Sequence, residues 1–98
     1  MSKVVRVDDG RMAVEGDMQV ANAVSLRAQG EALLESLKSP VTVDLQGATD
    51  VGSVGVSVVL SWMRKAGQLG KQLKVVNMPD KMRDVSRVSG LDQFLNSK

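Results

Sequence analysis

The apolar residues of the first forty positions follow a strand pattern and then a helix pattern. Two β-rich runs near residues 3–7 and 11–15 flank Asp8-Asp9-Gly10, and an Asp-Gly step between such runs is typical of a hairpin. We expect Gly16-Asp17 to end the second strand. From residue 21 to 37, small and apolar residues recur at steps of three and four, which predicts a helix. They are Ala23, Leu26, Gly30, Leu33 and Leu37.

The ends of this helix have their own signals. Asn22 is a candidate N-cap, because an Asn side chain accepts a hydrogen bond from the free N–H groups of the first turn. Ser39-Pro40 ends the helix, since the residue before a proline resists the α conformation. Gly30 lies inside the helix, where it predicts a close approach of the backbone to the sheet.

The second half of the chain alternates between strand and helix patterns. Val41–Leu45 is a predicted strand, residues 46–53 a loop, and 54–66 a helix that ends near Gly67 or Gly70. Gln72–Val76 is the next strand. Pro79 suits the first turn of a last helix. We expect that helix to have one apolar face and to end at Gly90, with the tail packed back on the core. The face is Met78, Met82, Val85 and Val88, and the tail residues are Leu91, Phe94 and Leu95.

The predicted order is therefore ββαβαβα, an α/β fold. Strands joined through helices imply a mostly parallel sheet, to which the N-terminal hairpin adds an antiparallel edge. A chain of 98 residues has the length of one domain, so we expect a single domain over residues 1–98. The charged Asp8-Asp9 pair precedes any long apolar stretch, so we expect no signal peptide.

The composition removes most catalytic chemistry. The chain has no His and no Cys, which excludes a Ser-His-Asp triad, a thiolate nucleophile and a His or Cys metal site. We therefore expect a non-catalytic module with no cofactor and no metal. Residues 1–49 carry a net charge of −2 and residues 50–98 a net charge of +4. One Trp and one Phe give no stacking platform for nucleic acid, so no nucleic-acid partner is expected.

The helix after the 46–53 loop has two apolar faces. One face is expected to pack on the sheet, and it consists of Val56, Val59, Leu60, Met63 and Gly67. The opposite face is apolar as well, and a Trp, which is a favoured interface residue, lies on its flank. We expect that face to bind a partner together with Ser53. The candidate partner-binding residues are Ser53, Val54, Ser57, Val58, Ser61, Trp62 and Lys65, with Arg64 beside Lys65 at the rim.

Ser53 precedes this helix, and its chemistry leaves several roles open. A Ser at a helix N-terminus caps the helix, receives a phosphate or contacts a partner. A nucleotide site is poorly supported, because a Walker A motif needs a Lys immediately after its second Gly and none follows Gly55 before Lys65.

Two stretches of the chain resemble the STAS domain family. The first is Val43-Asp44-Leu45 followed by Val51-Gly52-Ser53-Val54-Gly55-Val56, where Ser53 aligns with the family's regulatory or partner-contacting Ser/Thr. The second, Val75–Pro79 with Val85–Leu91, is similar to the MlaB branch. The resemblance implies a STAS fold with its helices mainly on one face of the sheet.

The resemblance also implies a function. MlaB-type proteins are small cytosolic subunits that bind the ATPase, an MlaF-like subunit, of an inner-membrane phospholipid-transport ABC complex. The alternative is an anti-sigma factor antagonist that binds an anti-sigma factor kinase and is switched by phosphorylation of Ser53. Gly52 stands where the family has an acidic residue, which weakens the expectation of phosphorylation and leaves docking intact. Asp50 is a partial substitute.

Overall fold

Alternating buried and exposed residues along four strands build one sheet. The computed structural model describes residues 2–49, 51 and 53–88, with the backbone alone for 85–88. The elements follow the predicted order: β1 (Lys3–Asp8), β2 (Arg11–Asp17), α1 (Val20–Ser36), β3 (Val41–Thr49), α2 (Ser53–Gln68), β4 (Leu73–Val76) and α3 (Asp80–Val88). Gly90, Leu91, Phe94 and Leu95, and the side chains of Val85 and Val88, lie outside the described part.

The sheet has the order β1-β2-β3-β4 and the predicted mixed character. β1 and β2 pair antiparallel, whereas β2 with β3 and β3 with β4 pair parallel. Each parallel pair is joined by a helix that returns along the sheet, so α1 and α2 both begin at the carboxyl ends of the strands before them. This topology places the first turns of α1 and α2 at the same edge of the sheet.

Strands β2 and β3 are longer than predicted. The expectations that Gly16-Asp17 ends β2 and that residues 46–53 form a loop are both wrong, because these segments pair with each other. Glu15, Gly16 and Asp17 lie opposite Gly47, Ala48 and Thr49. A register shift after Ala13 and the positive φ of Gly16, 99°, accommodate this extension. Only a short connection therefore separates β3 from α2.

Helix α1 ends before Pro40 as predicted, but its N-cap differs from the prediction. Gln19 is its N-cap residue, and the side chain of Asn22 donates instead to the carbonyl of Asp17 at 3.3 Å, so the prediction of an Asn22 cap is wrong. At the other end, Lys71 Nζ donates to the carbonyl oxygens of Leu34 (2.6 Å) and Leu37 (2.7 Å). A cation at a helix C-terminus satisfies carbonyls that lack a partner within the helix.

The contact between α1 and α2 is built on Gly30 and Trp62. A Cβ at Gly30 would overlap the indole ring of Trp62, and Trp62 Nε1 donates to the carbonyl oxygen of Arg27 at 3.1 Å. The Trp62 side chain is fully buried. The predicted close approach at Gly30 is confirmed, but α1 approaches α2 there and not the sheet.

The predicted faces of α2 need correction. Val58, Ser61 and Trp62, which we expected to face away from the core, are 3%, 8% and 0% exposed. Ser61 Oγ donates within the helix to the carbonyl oxygen of Val58 at 2.6 Å. Gly67, predicted to face the sheet, is exposed. The reason is that α2 packs on the core above the sheet, on the side of α1 and on α3, so its buried arc is wider than one face.

Asp44 ties three elements together beside the core. Its carboxylate accepts from Arg11 of β2 (2.9 Å), from the Asn77 side chain after β4 (2.9 Å) and from the N–H of Gln46 (2.9 Å). Burial alone raises the pKa of Asp44, but these hydrogen bonds outweigh it and hold the pKa below the usual 3.8. Asn77 has a φ of 57°, so Asp44 also holds a left-handed turn that leads into α3.

Gly30→Ala is expected to lower the free energy of unfolding by about 1–3 kcal/mol, because the new methyl group must displace the Trp62 ring. Gly67→Ala is the matched control: a Cβ there meets no atom within 4 Å, so only the helix-propensity gain of up to about 1 kcal/mol remains. Urea denaturation of the two variants measures both values. Equal effects on stability would contradict the packing described for Gly30.

Asp44→Asn is expected to cost about 0.5–1 kcal/mol at neutral pH, because the ion pair with Arg11 is lost. A carboxyl group with a lower pKa in the folded state stabilises the protein when the pH lies above its unfolded-state pKa, here about 3.8. This stabilisation is lost as the pH falls through the folded-state pKa. The difference between wild type and variant should therefore shrink below about pH 3.8. Urea titrations across this range test it, with exposed Asp84→Asn as the control. A pH-independent difference would contradict the assignment.

Candidate docking surface

The first turn of α2, which begins at Ser53, packs closely on the core. Val51 is 3% exposed and fills the core beside Gly55. A Cβ at Gly55 would overlap Val51 Cγ1 and would lie 3.7 Å from Met18 Sδ. The glycine therefore lets the first turn of α2 sit directly on Val51, which leaves the side chain of Ser53 exposed. Gly52 and Asp50 lie outside the described residues.

An open groove lies beside Ser53. It has a volume of about 450 Å³ and is lined by Met18, Gln19, Val20, Ala21, Ser53, Val54 and Lys81. These residues come from the β2–α1 connection and from the first turns of α1, α2 and α3. The groove exists because the sheet topology places the starts of α1 and α2 at one edge.

Two valines on α1 make this edge apolar. The Val20 and Val24 side chains are 76% and 82% exposed, the highest values among the exposed large hydrophobic residues of the described chain. Sequence reasoning missed them, although the signal was there: neither belongs to the 23, 26, 30, 33, 37 series that defines the buried side of α1. We call Val20, Val24, Ser53, Val54 and Ser57 the docking surface.

A second, smaller hollow follows along the line where α1 and α2 meet. It has a volume of about 150 Å³ and is lined by Arg27, Glu31, Ser61, Arg64, Lys65 and Gln68. Arg27 Nε lies 3.0 Å from Glu31 Oε2, and Lys65 Nζ lies 3.2 Å from Glu35 Oε2. The hollow is polar, in contrast to the valines at the start of the two helices.

The end of β2 is fixed by a serine and a carboxylate. Ser2 Oγ donates to Asp17 Oδ1 at 2.6 Å and to the carbonyl oxygen of Asp17 at 2.5 Å. The hydrogen bond from Ser2 is the main cause that lowers the pKa of Asp17 below its usual value. Met18 N donates to the carbonyl oxygen of Thr49 at 3.0 Å, so the backbone entering the groove is held on both sides.

The predicted site residues thus separate into three groups. Ser53 and Ser57 are exposed and Val54 is half-buried, so these three share an accessible surface. Lys65 lies at the rim of the second hollow, where it pairs with Glu35. Val58, Ser61 and Trp62 are buried and do not join this surface. The contact of Ser53, Val54, Ser57 and Lys65 with a partner stays a prediction.

The described residues form no cluster of candidate metal ligands. Within residues 2–49, 51 and 53–88, no group of three or more His, Cys, Asp or Glu side chains is placed to hold a metal ion. No helix in this part of the chain is both long and apolar enough to cross a membrane. The accessible chemistry at the edge of the sheet is a hydroxyl group among valines, with a lysine nearby.

The family model for the STAS domain of Mlab type matches residues 2–96. The chain belongs to the STAS domain family. Solved structures with the same fold support this assignment. The unphosphorylated form of the anti-sigma factor antagonist SpoIIAA has a TM-score of 0.74 and 17% identity, with coverage of 97% of this chain and 85% of that one.

Two further structures share the STAS fold at low identity. An anti-sigma factor antagonist from Mycobacterium paratuberculosis is 23% identical with a TM-score of 0.74, over 97% of this chain and 81% of its own. The phosphorylated form of the Bacillus cell fate determinant SpoIIAA is 18% identical with a TM-score of 0.70, over 97% and 88%. These likenesses show that the chain has the STAS fold.

Proposed function

We propose that this STAS chain is the non-catalytic subunit of a phospholipid-transport ABC complex and that it binds the ATPase subunit through the docking surface. The Mlab description of the matching family model supports this function. The observation that carries it is the pair of highly exposed valines, Val20 and Val24, beside the exposed Ser53. Exposed apolar side chains grouped with a hydroxyl are typical of a protein interface.

The action of such a subunit follows from binding alone. If the docking surface contacts the ATPase more favourably in one conformation, the binding free energy shifts the ATPase toward that conformation. The STAS chain needs no reactive group for this role. It would reach the inner membrane only through the complex, on the cytoplasmic side where an ABC ATPase lies.

A second candidate function is a phosphorylation switch of the anti-sigma factor antagonist type. Ser53 is exposed at the start of α2, and SpoIIAA, which has the same fold, is known in a phosphorylated form. A phosphoryl group on Ser53 would add about −1.5 to −2 charges to the docking surface. Beside Val20 and Val54, that charge would oppose burial against an apolar partner. Gly52, in place of the family's acidic residue, favours the ATPase-binding function over this one.

Ser53→Arg is expected to abolish co-purification with the ATPase subunit, because a long cation replaces a small hydroxyl at the centre of the docking surface. Val20→Asp should weaken binding by about tenfold or more through desolvation of its charge. Ala32→Arg is the control, since it adds the same cation at an exposed position of α1 outside the docking surface. Binding of all three variants at wild-type affinity would contradict the docking surface.

Phosphorylation of Ser53 separates the two candidate functions. We incubate the chain with ATP and the anti-sigma factor kinase encoded nearest to it, and measure the intact mass. The ATPase-subunit function predicts no added phosphoryl group. A gain of one phosphoryl group that Ser53→Ala abolishes would favour the switch.

A further inference from the structure

The hollow beside Ser53 and the hollow beside Ser61 follow one another where α1 and α2 meet, and we treat the two together as one groove. On α1, Val20, Val24, Arg27 and Glu31 follow at steps of four, three and four, so they form one stripe of the helix. On α2, the corresponding stripe is formed by Val54, Ser57, Ser61, Lys65 and Gln68. The two hollows beside Ser53 and beside Ser61 lie along these stripes. We call this feature the α1–α2 groove.

Small residues lie where the two helices of the groove meet. Ser61, which is 8% exposed, lines the second hollow, and Gly30 lets α1 approach Trp62 closely. From Val54 to Arg64, α2 rises about 15 Å, which equals about three turns of a second helix. A short helix of a partner commonly binds in such a groove with its apolar side chains inward.

The charges along the groove have one sign wherever they are not already paired. Helix α2 contains no Asp or Glu, and α1 contains none from Val20 to Gly30. The two carboxylates near the polar hollow, Glu31 and Glu35, pair with Arg27 and Lys65. Arg64 and Lys81 form no ion pair with another residue of the described ranges.

We propose that the α1–α2 groove receives an acidic amphipathic helix of the partner protein. Apolar side chains of that helix lie on Val20, Val24 and Val54. Its carboxylates, about three turns apart, pair with Lys81 at one end and Arg64 at the other. This inference rests on the proposed function and adds the chemistry of the segment that the STAS chain recognises.

Two other occupants fit the groove less well. A second copy of this chain would bring Arg64 and Lys81 against the same cations, and like charges in an interface oppose binding. An anionic membrane matches the charge, but a flat surface cannot fill a channel between two helices. An acidic helix matches the charge and the shape together.

The test is a titration of the isotope-labelled full chain with two designed helical peptides. Binding is measured from the changes in the amide NMR chemical shifts. Both peptides have Leu on one face; the first has Glu at the flanking positions and the second has Lys there. The Glu peptide should bind, with shifts confined to residues 19–31 and 53–68 and to the start of α3 around Lys81. The Lys peptide should bind about tenfold more weakly or not at all.

Variants locate the contact. Arg64→Glu should weaken binding of the Glu peptide by about fivefold and strengthen binding of the Lys peptide, because the pair is reversed. Val24→Ser should weaken both peptides. The controls are Lys74→Glu on β4 and Val7→Ser on β1, both exposed and outside the groove. If Arg64→Glu changes the affinity for neither the Glu peptide nor the Lys peptide, the proposal is overturned.

The remaining outcomes are decisive as well. If the chain binds phosphatidylglycerol vesicles but does not bind the Glu peptide, the occupant of the groove is a membrane and not a partner helix. A dimer that Val24→Ser dissociates would replace the partner helix by a second copy. The peptide titrations do not require the ATPase. If the unmodified chain binds the Glu peptide but does not bind the ATPase subunit, the proposed function is rejected and the acidic helix is kept. If the chain binds the ATPase subunit but does not bind the Glu peptide, the acidic helix is rejected and the proposed function is kept.

Discussion

The structure depends on the contact between Trp62 and Gly30. The indole ring fills the space that a side chain at residue 30 would take, and its N–H satisfies a carbonyl oxygen of α1. This contact fixes the distance between two parallel helices. Because both helices follow parallel strands, fixing them side by side also fixes their first turns at one edge. The docking surface is therefore a consequence of core packing.

The fold could be predicted from the sequence where local signals and tertiary packing agree. The Asp9-Gly10 turn, the helical spacing after residue 21 and the break at Pro40 place the main elements correctly. The errors occur where a contact distant in sequence decides. The extension of β3 to Thr49 depends on pairing with β2, and the cap of α1 depends on the conformation of Gln19.

The candidate site was only partly predictable for the same reason. Ser53 could be placed from the strand-to-helix signal, because Gly55 requires a tight first turn. The faces of α2 could not be divided correctly, since the helical period says which residues share a face but does not say how many neighbours cover them. Trp62 was assigned to a partner on its residue type, whereas α1 is the element that covers it. Val20 and Val24, and not Trp62, are the large apolar side chains exposed beside Ser53.

Hydrogen exchange of the chain, with and without the ATPase subunit, tests the central claim most directly. The first N–H groups of a helix have no partner within the helix, so they exchange quickly until something covers them. If the starts of α1 and α2 bind the partner, exchange should slow at residues 20–23 and 53–56 and stay unchanged in β1 and β4. Slower exchange along β1 or β4, with no change at the two helix starts, would contradict the account.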